Sequence, residues 1–329
     1  MTFNSLAVVD WSAGNDTGAR ARRDAIWLGR AKEGRSAEPE YLRNRDVARA
    51  RLEALIDEAL VCGDRLVIGF DFPFGYPRGF CRALTGDDNP LVLWDWFSEH
   101  LEDTPKGNAR FALAGRLNQL FAGVGPFWFN GTAQEVEGLP RKGSQRTTDH
   151  GLPERRLTEE RASGAFSCWQ MGGAGAVGGQ VMTGLACLAL LRRRFPGKVS
   201  VWPFEPLNRP VTFLEVWPSL ISSAVRAAGD AIKDRAQVRL LSQALAGLCP
   251  EDWAEMPTGS WVMMYNRLDT AEPGFEYQIG FYRVIGTSGQ GERSVTLSGP
   301  DFDFSKSSTG TYLVLLKDAI VVSKTMSRS

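Results

Sequence analysis

Three carboxylates stand at the ends of three short apolar segments of this chain. Asp10 closes residues 6–10, Asp71 follows residues 66–70, and Glu215 closes residues 211–215. Runs of β-branched and aromatic residues without polar alternation are typical of strands buried on both faces. A carboxylate at the end of such a strand is costly to bury unless it is paired, hydrogen-bonded or bound to a metal. Each acid alone could be a turn or helix-capping residue, but the three together favour a shared acidic site.

Turn residues follow the first two acids directly. Asp10 is followed by Trp-Ser-Ala-Gly and Asp71 by Phe-Pro-Phe-Gly. Both acids are therefore predicted to lie where a strand leaves the sheet, which is where open α/β sheets bind their ligands. Ser12, within the first of these turns, is a candidate for a phosphate contact.

Histidine is too scarce for several common kinds of active site. The chain has only two histidines, His100 and His150, and neither lies beside a nucleophile elbow. Two histidines are too few for most zinc sites built on imidazole ligands, so such a site is nearly excluded. If a metal is bound, carboxylates must hold it, which predicts Mg²⁺ or Mn²⁺.

A glycine-rich segment between residues 171 and 180 is a second candidate site. Gly172, Gly173, Gly175 and Gly178 precede a predicted helix over residues 180–195. The string Gly-x-Gly-x-x-Gly occurs here, but no convincing buried strand precedes it, and the next strand-ending acid comes later than in dinucleotide-binding folds. Two interpretations stay open: a phosphate cradle at a helix N-terminus, or a tight turn that lets the helix pack closely.

The order of predicted elements indicates an α/β fold. The first strand is followed by a returning antiparallel strand at 24–30, a short strand at 41–42, a helix over 47–60 capped by Asp46 and ended by Gly63, and then the strand that leads to Asp71. Hairpin strands, a helix and a buried parallel strand, in that order, are the opening half of an RNase H-like sheet. We therefore expect a mixed sheet flanked by helices.

The chain resembles a family of uncharacterised bacterial and archaeal proteins predicted to be RNase H-like nucleases. The matching motifs are the strand-one acid Asp10, Ile-Gly-Phe-Asp-Phe-Pro-Phe-Gly over residues 68–75, Glu-Val-Trp-Pro over 215–218, and Asp-Arg-Ala-Gln over 234–237. The resemblance implies that Asp10, Asp71, Glu215 and Asp234 are catalytic residues and ligands of Mg²⁺ or Mn²⁺. This chain departs from the pattern at Gln237, where the family has a second acid, and Gln237 is kept as a candidate substrate contact.

The resemblance covers residues 1–75 and about 165–248. It implies an RNase H-like domain over residues 1–250, interrupted by a helical and loop insertion at about 77–165. Within the insertion, residues 139–163 are polar and rich in Arg and Lys, which favours a surface excursion over a substrate lid. Alternating apolar segments at 261–265, 275–285, 294–297 and 312–322 predict a β-rich extension, residues 251–329, packed on the same domain.

Composition limits the partners and the compartment. Lys plus Arg and Asp plus Glu both number 38, so the chain has no net charge with which to coat nucleic acid or a membrane. A local basic groove is still compatible with that balance. Five scattered cysteines without a Cys-x-x-Cys pair predict buried thiols in a reducing compartment. No segment has the roughly 20 apolar residues of a membrane span, so we expect a cytoplasmic protein.

Three functional classes stay open on this reasoning. The first is a metal-dependent phosphodiester hydrolase acting on nucleic acid or a small nucleotide, which the carboxylates favour. The second is a nucleotide-dependent phosphotransferase of the sugar-kinase and actin clan, which shares the core fold and which the glycines favour. The third is a non-catalytic nucleotide-binding protein. Some similar chains carry the label of molybdopterin guanine dinucleotide synthesis, which no motif here supports. Fold alone does not choose among the three.

Overall fold

A computed structural model describes residues 3–246, except 17, 19–24, 33–34 and 162–164, together with five strands between residues 261 and 327. The strands are β1 (Ser5–Asp10), β2 (Ile26–Lys32), β3 (Arg35–Ser36), β4 (Glu40–Leu42), β5 (Leu66–Phe70), β6 (Asp103–Thr104), β7 (Gly107–Asn108), β8 (Val199–Val201), β9 (Val211–Glu215), β10 (Trp261–Arg267), β11 (Tyr277–Thr287), β12 (Val295–Ser298), β13 (Thr309–Leu315) and β14 (Ser323–Ser327). The α-helices are α1 (Arg45–Cys62), α2 (Phe80–Thr85), α3 (Pro90–His100), α4 (Arg110–Asn118), α5 (Leu157–Arg161), α6 (Gly178–Arg194), α7 (Ser222–Ala227) and α8 (Lys233–Ala246).

The central sheet is mixed, as the sequence predicts. Its strand order is β3-β2-β1-β5-β9-β8, with β4 also paired to β2. Strand β1 runs antiparallel to β2, whereas β1, β5, β9 and β8 all run parallel to one another. The three strands that lead to Asp10, Asp71 and Glu215 are therefore neighbours, and they end at the same edge of the sheet.

Helices cover both faces of this sheet. On one face, Val9, Phe70 and Phe213 belong to a hydrophobic cluster that includes side chains of α1, α3 and α6. On the other face, Val8 and Leu214 pack in a cluster with side chains of α7 and α8. The alternation of adjacent residues between the two clusters is the period of two that a pleated strand imposes.

Helix α1 begins two residues earlier than the sequence pattern predicts. Asn44 is its N-cap, with an extended backbone and a side chain that accepts from the Val47 N–H at 3.0 Å, so the predicted cap Asp46 is wrong and lies within the first turn. Gly63 ends the helix in the left-handed conformation at φ 71°, as predicted.

The insertion at residues 77–165 contributes to the main core. It contains α2, α3, α4 and the β6–β7 hairpin, and it buries Phe80, Trp94 and Phe127 completely. Most described residues of the polar stretch 139–163 are exposed or partly exposed, as a surface excursion predicts, although Leu139 and Glu159 are only 5% and 3% exposed. Two of its arginines join this stretch to other parts of the chain: Arg141 donates to the Thr132 carbonyl, and Arg156 donates to the Glu215 carboxylate.

The described part of the C-terminal region is β-structure, as predicted. Strands β10–β14 form an antiparallel sheet in the order β12-β11-β10-β13-β14. The predicted strand at 312–322 overlaps β13 as far as residue 315, and residues 316–322 lie outside the described residues. Among the described strands, none of these five pairs with a strand of the central sheet.

Two further expectations concern thiols and membranes. The four described cysteines are unpaired, and Cys168 and Cys187 are buried, but Cys62 is exposed, so the expectation of a wholly buried set is wrong there. Cys249 lies outside the described residues. Among the helices of the described residues, none is both long enough and apolar enough to cross a bilayer.

Candidate acidic site at the ends of the central strands

Asp10 and Asp71 end neighbouring parallel strands. In the register of β1 and β5, Val9 pairs with Phe70, and the Asp71 N–H donates to the Val9 carbonyl at 3.3 Å. One residue further, the Trp11 N–H donates to Asp71 Oδ1 at 2.7 Å. The residue that follows β1 is therefore hydrogen-bonded to the Asp71 carboxylate. Asp10 and Asp71 occupy adjacent positions at the edge of the sheet.

Strand alternation places both acids on the face covered by α8. Asp10 lies two residues after Val8, which packs in the α8 cluster, and Asp71 lies two residues after Gly69, the register partner of Val8. Paired residues of parallel strands share a face. The carboxyl ends of β1 and β5 therefore present their acids towards the same helix.

Helix α8 carries Asp234 and Gln237 against this face. Its backbone packs so closely on β2 that a Cβ built on Gly29 would lie 2.2 Å from the Val238 carbonyl oxygen. Gly29 is the register partner of Val8, so the close approach occurs one pleat below Asp10. Gln237 is only 5% exposed. Because Gly29 has no side chain, α8 can pack directly on β2 and carry Asp234 and Gln237 towards the ends of the strands.

The charge of Asp234 acts on Asp71. The pKa of Asp71 is raised to about 7: burial is the largest cause, the Asp234 carboxylate also raises it, and the hydrogen bond from the Trp11 N–H opposes the increase. Asp10 is itself only 8% exposed. Two carboxylates that repel each other beside a third buried acid form a site that favours either a proton or a cation.

The structure does not bring Glu215 to this group. Glu215 is the register partner of Phe70, so it lies on the face opposite Asp71. Its two carboxylate oxygens accept from the Arg156 guanidinium at 2.9 and 2.7 Å, and Oε2 also accepts from the Phe74 N–H at 2.9 Å. The Glu215 carboxylate is therefore paired with the insertion and with the turn that follows Asp71.

Arg156 is a residue that the sequence motifs do not identify. Besides Glu215, it donates from Nε to Glu159 Oε1 at 2.8 Å, and the Cys168 thiol donates to the same oxygen at 3.1 Å. Burial raises the pKa of Cys168 well above its usual value, although the Arg156 charge opposes this shift. The only signal in the sequence is the general excess of arginine within residues 139–163.

The glycine-rich segment is closely covered by aromatic rings. A Cβ on Gly172 would lie 2.7 Å from the Phe129 ring, and one on Gly175 would lie 2.2 Å from the Phe166 ring. Gly173 and Gly175 also have the positive φ values, 88° and 74°, that glycine tolerates best. Of the two interpretations of this segment, a phosphate cradle or a tight turn for close packing, these contacts favour close packing.

Gly178 and its neighbours set α6 against the turn after Asp10. Gly178 begins α6, and a Cβ there would lie 2.6 Å from the Cys168 carbonyl oxygen. Two residues on, Gln180 Nε2 donates to the Trp11 carbonyl at 2.7 Å. The hydroxyl of Ser12, only 3% exposed, accepts from the Gly14 N–H at 3.0 Å and so stabilises that turn. The helix N-terminus is thus close to the end of β1.

The donor set fits a hard cation only in part. Asp10, Asp71, Asp234 and Gln237 offer oxygen ligands, the kind that Mg²⁺ and Mn²⁺ prefer. Within the part of the chain that the structure describes, however, no group of three or more His, Cys, Asp and Glu side chains is arranged to hold a metal ion. The predicted four-carboxylate cluster is not formed, and the repelling pair of Asp71 and Asp234 is the feature that a cation would relieve.

Comparison with protein-family models, with curated proteins and with solved structures found no match.

Proposed function

We propose that the chain is a metal-dependent phosphodiester hydrolase built on an RNase H-like sheet. Two observations support the fold: an antiparallel hairpin followed by parallel strands in the order β3-β2-β1-β5-β9, and a late helix, α8, that returns across β1 and β2. In such a sheet the ligand lies at the carboxyl ends of the central strands. Free thiols in the described residues fit the cytoplasmic setting that completes this proposal.

The observation that carries the proposal is the proximity of two carboxylates of like charge, Asp71 and Asp234. Two acids from elements 163 positions apart are held together on one face although they repel each other, and the pKa of Asp71 is raised to about 7 as a result of burial and of that neighbour. Stability alone gives no reason to keep such a pair. A bound divalent cation would neutralise both charges.

In the proposed mechanism, Asp71 and Asp234 would hold the cation, Asp10 would lie beside them as a further oxygen donor, and Gln237 would orient a substrate oxygen. When bound, Mg²⁺ or Mn²⁺ supplies a water of lowered pKa and neutralises charge on the leaving oxygen. The Trp11 N–H fixes the Asp71 carboxylate through its 2.7 Å hydrogen bond. Glu215 has a positioning role, because together with Arg156 it fixes the Phe74 backbone, three residues after Asp71.

The test is the metal response of the melting temperature, together with hydrolysis of a phosphodiester. A ligand that binds only the folded state stabilises it by mass action, so millimolar Mg²⁺ or Mn²⁺ should raise the melting temperature of the wild type. D71N should lose both turnover and this response. E215Q should unfold more easily, since Arg156 loses its charged partner, but should keep the metal response.

Three outcomes would contradict the proposal. A wild type and D71N with the same metal response would leave a binding protein. Transfer of phosphate from ATP to a small acceptor, without diester cleavage, would favour the phosphotransferase. If E215Q also loses the response, Glu215 is a ligand after all and the positioning role is wrong. D57N, which alters an exposed acid on α1, serves as the matched control and should behave as the wild type.

A further inference from the structure

A buried arginine holds the turn that follows Asp10. We call this turn, residues 11–14, the Asp10 turn. Arg45 Nη1 donates to the carbonyl oxygens of Ser12 and Gly14, at 3.3 and 2.7 Å. We propose that Arg45 is a positioning residue of the acidic site and that it acts through this turn. The inference deepens the proposed function and rests on it only for metal binding.

The insertion fixes the direction of the Arg45 guanidinium. Asp103, in β6, accepts from Arg45 Nε and Nη2 at 2.6 Å each, in the bidentate geometry that suits a guanidinium and a carboxylate. All three guanidinium nitrogens are therefore used: two bind Asp103 and the third binds the Asp10 turn. Because the donors of a guanidinium lie in one rigid plane, the position of Asp103 determines where the third nitrogen holds the turn.

Stability alone does not favour an arginine at this position. Arg45 is the first residue of α1, where the helix dipole disfavours a cation. Its side chain is only 5% exposed, and the cost of removing a charged pair from water can exceed the attraction between the two charges. The contacts with the Asp10 turn, in contrast, need a donor with the reach and the planar shape of this side chain. We therefore interpret Arg45 by what it holds.

The β6–β7 hairpin also binds the chain around the Asp10 turn directly. Asn108, in β7, donates from Nδ2 to the Ala13 carbonyl at 2.9 Å. Asn15, the residue after the turn, donates from Nδ2 to the Thr104 carbonyl of β6 at 2.9 Å. The hairpin and the turn are therefore joined at several points, and Arg45 links both of them to helix α1.

The conformation of the Asp10 turn acts on both acids at the strand ends. Trp11, its first residue, directly follows Asp10, and its backbone N–H donates to Asp71 Oδ1 at 2.7 Å. The indole Nε1 of Trp11 donates to Thr183 Oγ1 of α6 at 3.1 Å, which fixes the opposite end of the same residue. A displaced turn would therefore change the hydrogen bond to Asp71 and the direction in which the chain leaves Asp10.

The experiment measures hydrogen–deuterium exchange and Mn²⁺ affinity in R45K, D103N and the wild type. R45K keeps the positive charge, but one ammonium group cannot reproduce the fork that spans Asp103 and two carbonyls. D103N keeps the shape of its side chain and removes the charge, so it tests the same link if R45K fails to fold. In both variants, exchange at residues 11–14 should accelerate more than exchange in β1 or α1. Mn²⁺ should bind about tenfold more weakly, as when a group that supports a metal ligand is lost.

R51K is the matched control. Arg51 also lies on α1 and also forms a bidentate pair, with the Glu40 carboxylate of β4 at 2.7 and 3.2 Å. Its third guanidinium nitrogen donates to Glu58 on its own helix, away from the Asp10 turn. R51K should lower stability and so accelerate exchange across the domain, but it should leave Mn²⁺ affinity unchanged and should not single out residues 11–14.

The outcomes separate this inference from the proposed function. Exchange at residues 11–14 that is the same in R45K, D103N and the wild type would overturn the positioning role of Arg45. The role would also be overturned if R45K and R51K gave the same exchange pattern, or if Mn²⁺ bound equally well to a variant whose turn exchanges faster. Selectively faster exchange at residues 11–14, with no Mn²⁺ bound even by the wild type, would support Arg45 as the residue that positions the turn, while the metal-dependent hydrolase proposal fails.

Discussion

At the scale of single residues, the Asp71 carboxyl couples the acidic site to stability. Its pKa is about 7 in the folded chain against an ordinary value of 3.8, so between these values the folded state holds a proton that the unfolded state has lost. The free energy of unfolding should therefore fall as pH rises from about 4 to about 7. Above about pH 7, Asp71 is ionised in both states, and the folded state carries the whole free-energy cost of that buried charge.

D71N cannot ionise at this position, so it should remove that pH dependence. We expect D71N to be more stable than the wild type at about pH 8 by on the order of a few kcal/mol, and the difference to vanish towards about pH 4. Urea unfolding over a pH series measures both quantities. If the two proteins show the same pH slope, Asp71 ionises normally and Asp234 does not act on it.

Arg156 and Glu215 show a different use of charge at the same scale. Their bidentate pair is partly buried, at 15% and 28% side-chain exposure, and it is completed by the Phe74 N–H. Breaking a buried pair leaves an uncompensated charge, whereas the intact pair adds little net stability. The role of this pair is therefore one of geometry: it joins the insertion to the turn that follows Asp71.

At the scale of secondary-structure elements, the position of α8 depends on a single missing side chain. G29A would place a Cβ 2.2 Å from the Val238 carbonyl, so α8 must move away from β2. We expect a loss of about 1–3 kcal/mol of stability and a weaker metal response, because Asp234 moves with the helix. G107A, where nothing lies within 4 Å, is the control and should change neither property.

The decisive result for G29A is whether the loss of stability and the weaker metal response occur together. Thermal unfolding with and without Mg²⁺ gives both. A G29A protein that is destabilised but has a full metal response would show that α8 does not position the site.

The same elements show why the sequence predicted one part of the site and not the other. The strands before Asp10, Asp71 and Glu215 were predictable because an uninterrupted apolar run has one structural meaning in a parallel sheet. Topology then brings their ends together. Which face each acid occupies depends on register at the level of one residue, and the run itself carries no polar alternation that would indicate it. This is why Glu215 could be predicted at the correct edge, although the sequence does not indicate that it lies on the face opposite Asp71.

Contacts between residues far apart in the sequence could not be predicted for a different reason. The pairing of Arg156 with Glu215 joins residues 59 positions apart, and no local pattern encodes it. The N-cap of α1 also required geometry, because Asn44 and Asp46 are both good capping residues and only the backbone at Asn44 is extended.

At the scale of the whole molecule, the described strands form a central sheet, a C-terminal sheet and the small β6–β7 hairpin. The central sheet and both described hydrophobic clusters are built from residues 3–246, and β10–β14 pair among themselves. Asp10, Asp71 and Asp234 all lie within residues 3–246. These observations lead to a prediction about the extension that the sequence placed on the same domain.

A chain that ends at Ala246 should fold and should keep the metal response. Its sheet is covered on both faces by its own helices, so it already has the buried apolar surface that a cooperative domain requires. Circular dichroism should show one cooperative thermal transition, with a melting temperature within a few degrees of that of the full chain, since the two sheets share no strand. Mg²⁺ should raise that temperature in the shortened chain and not in its D71N variant. Loss of the cooperative transition would instead show that residues 247–329 stabilise the same core, as an extension packed on one domain requires.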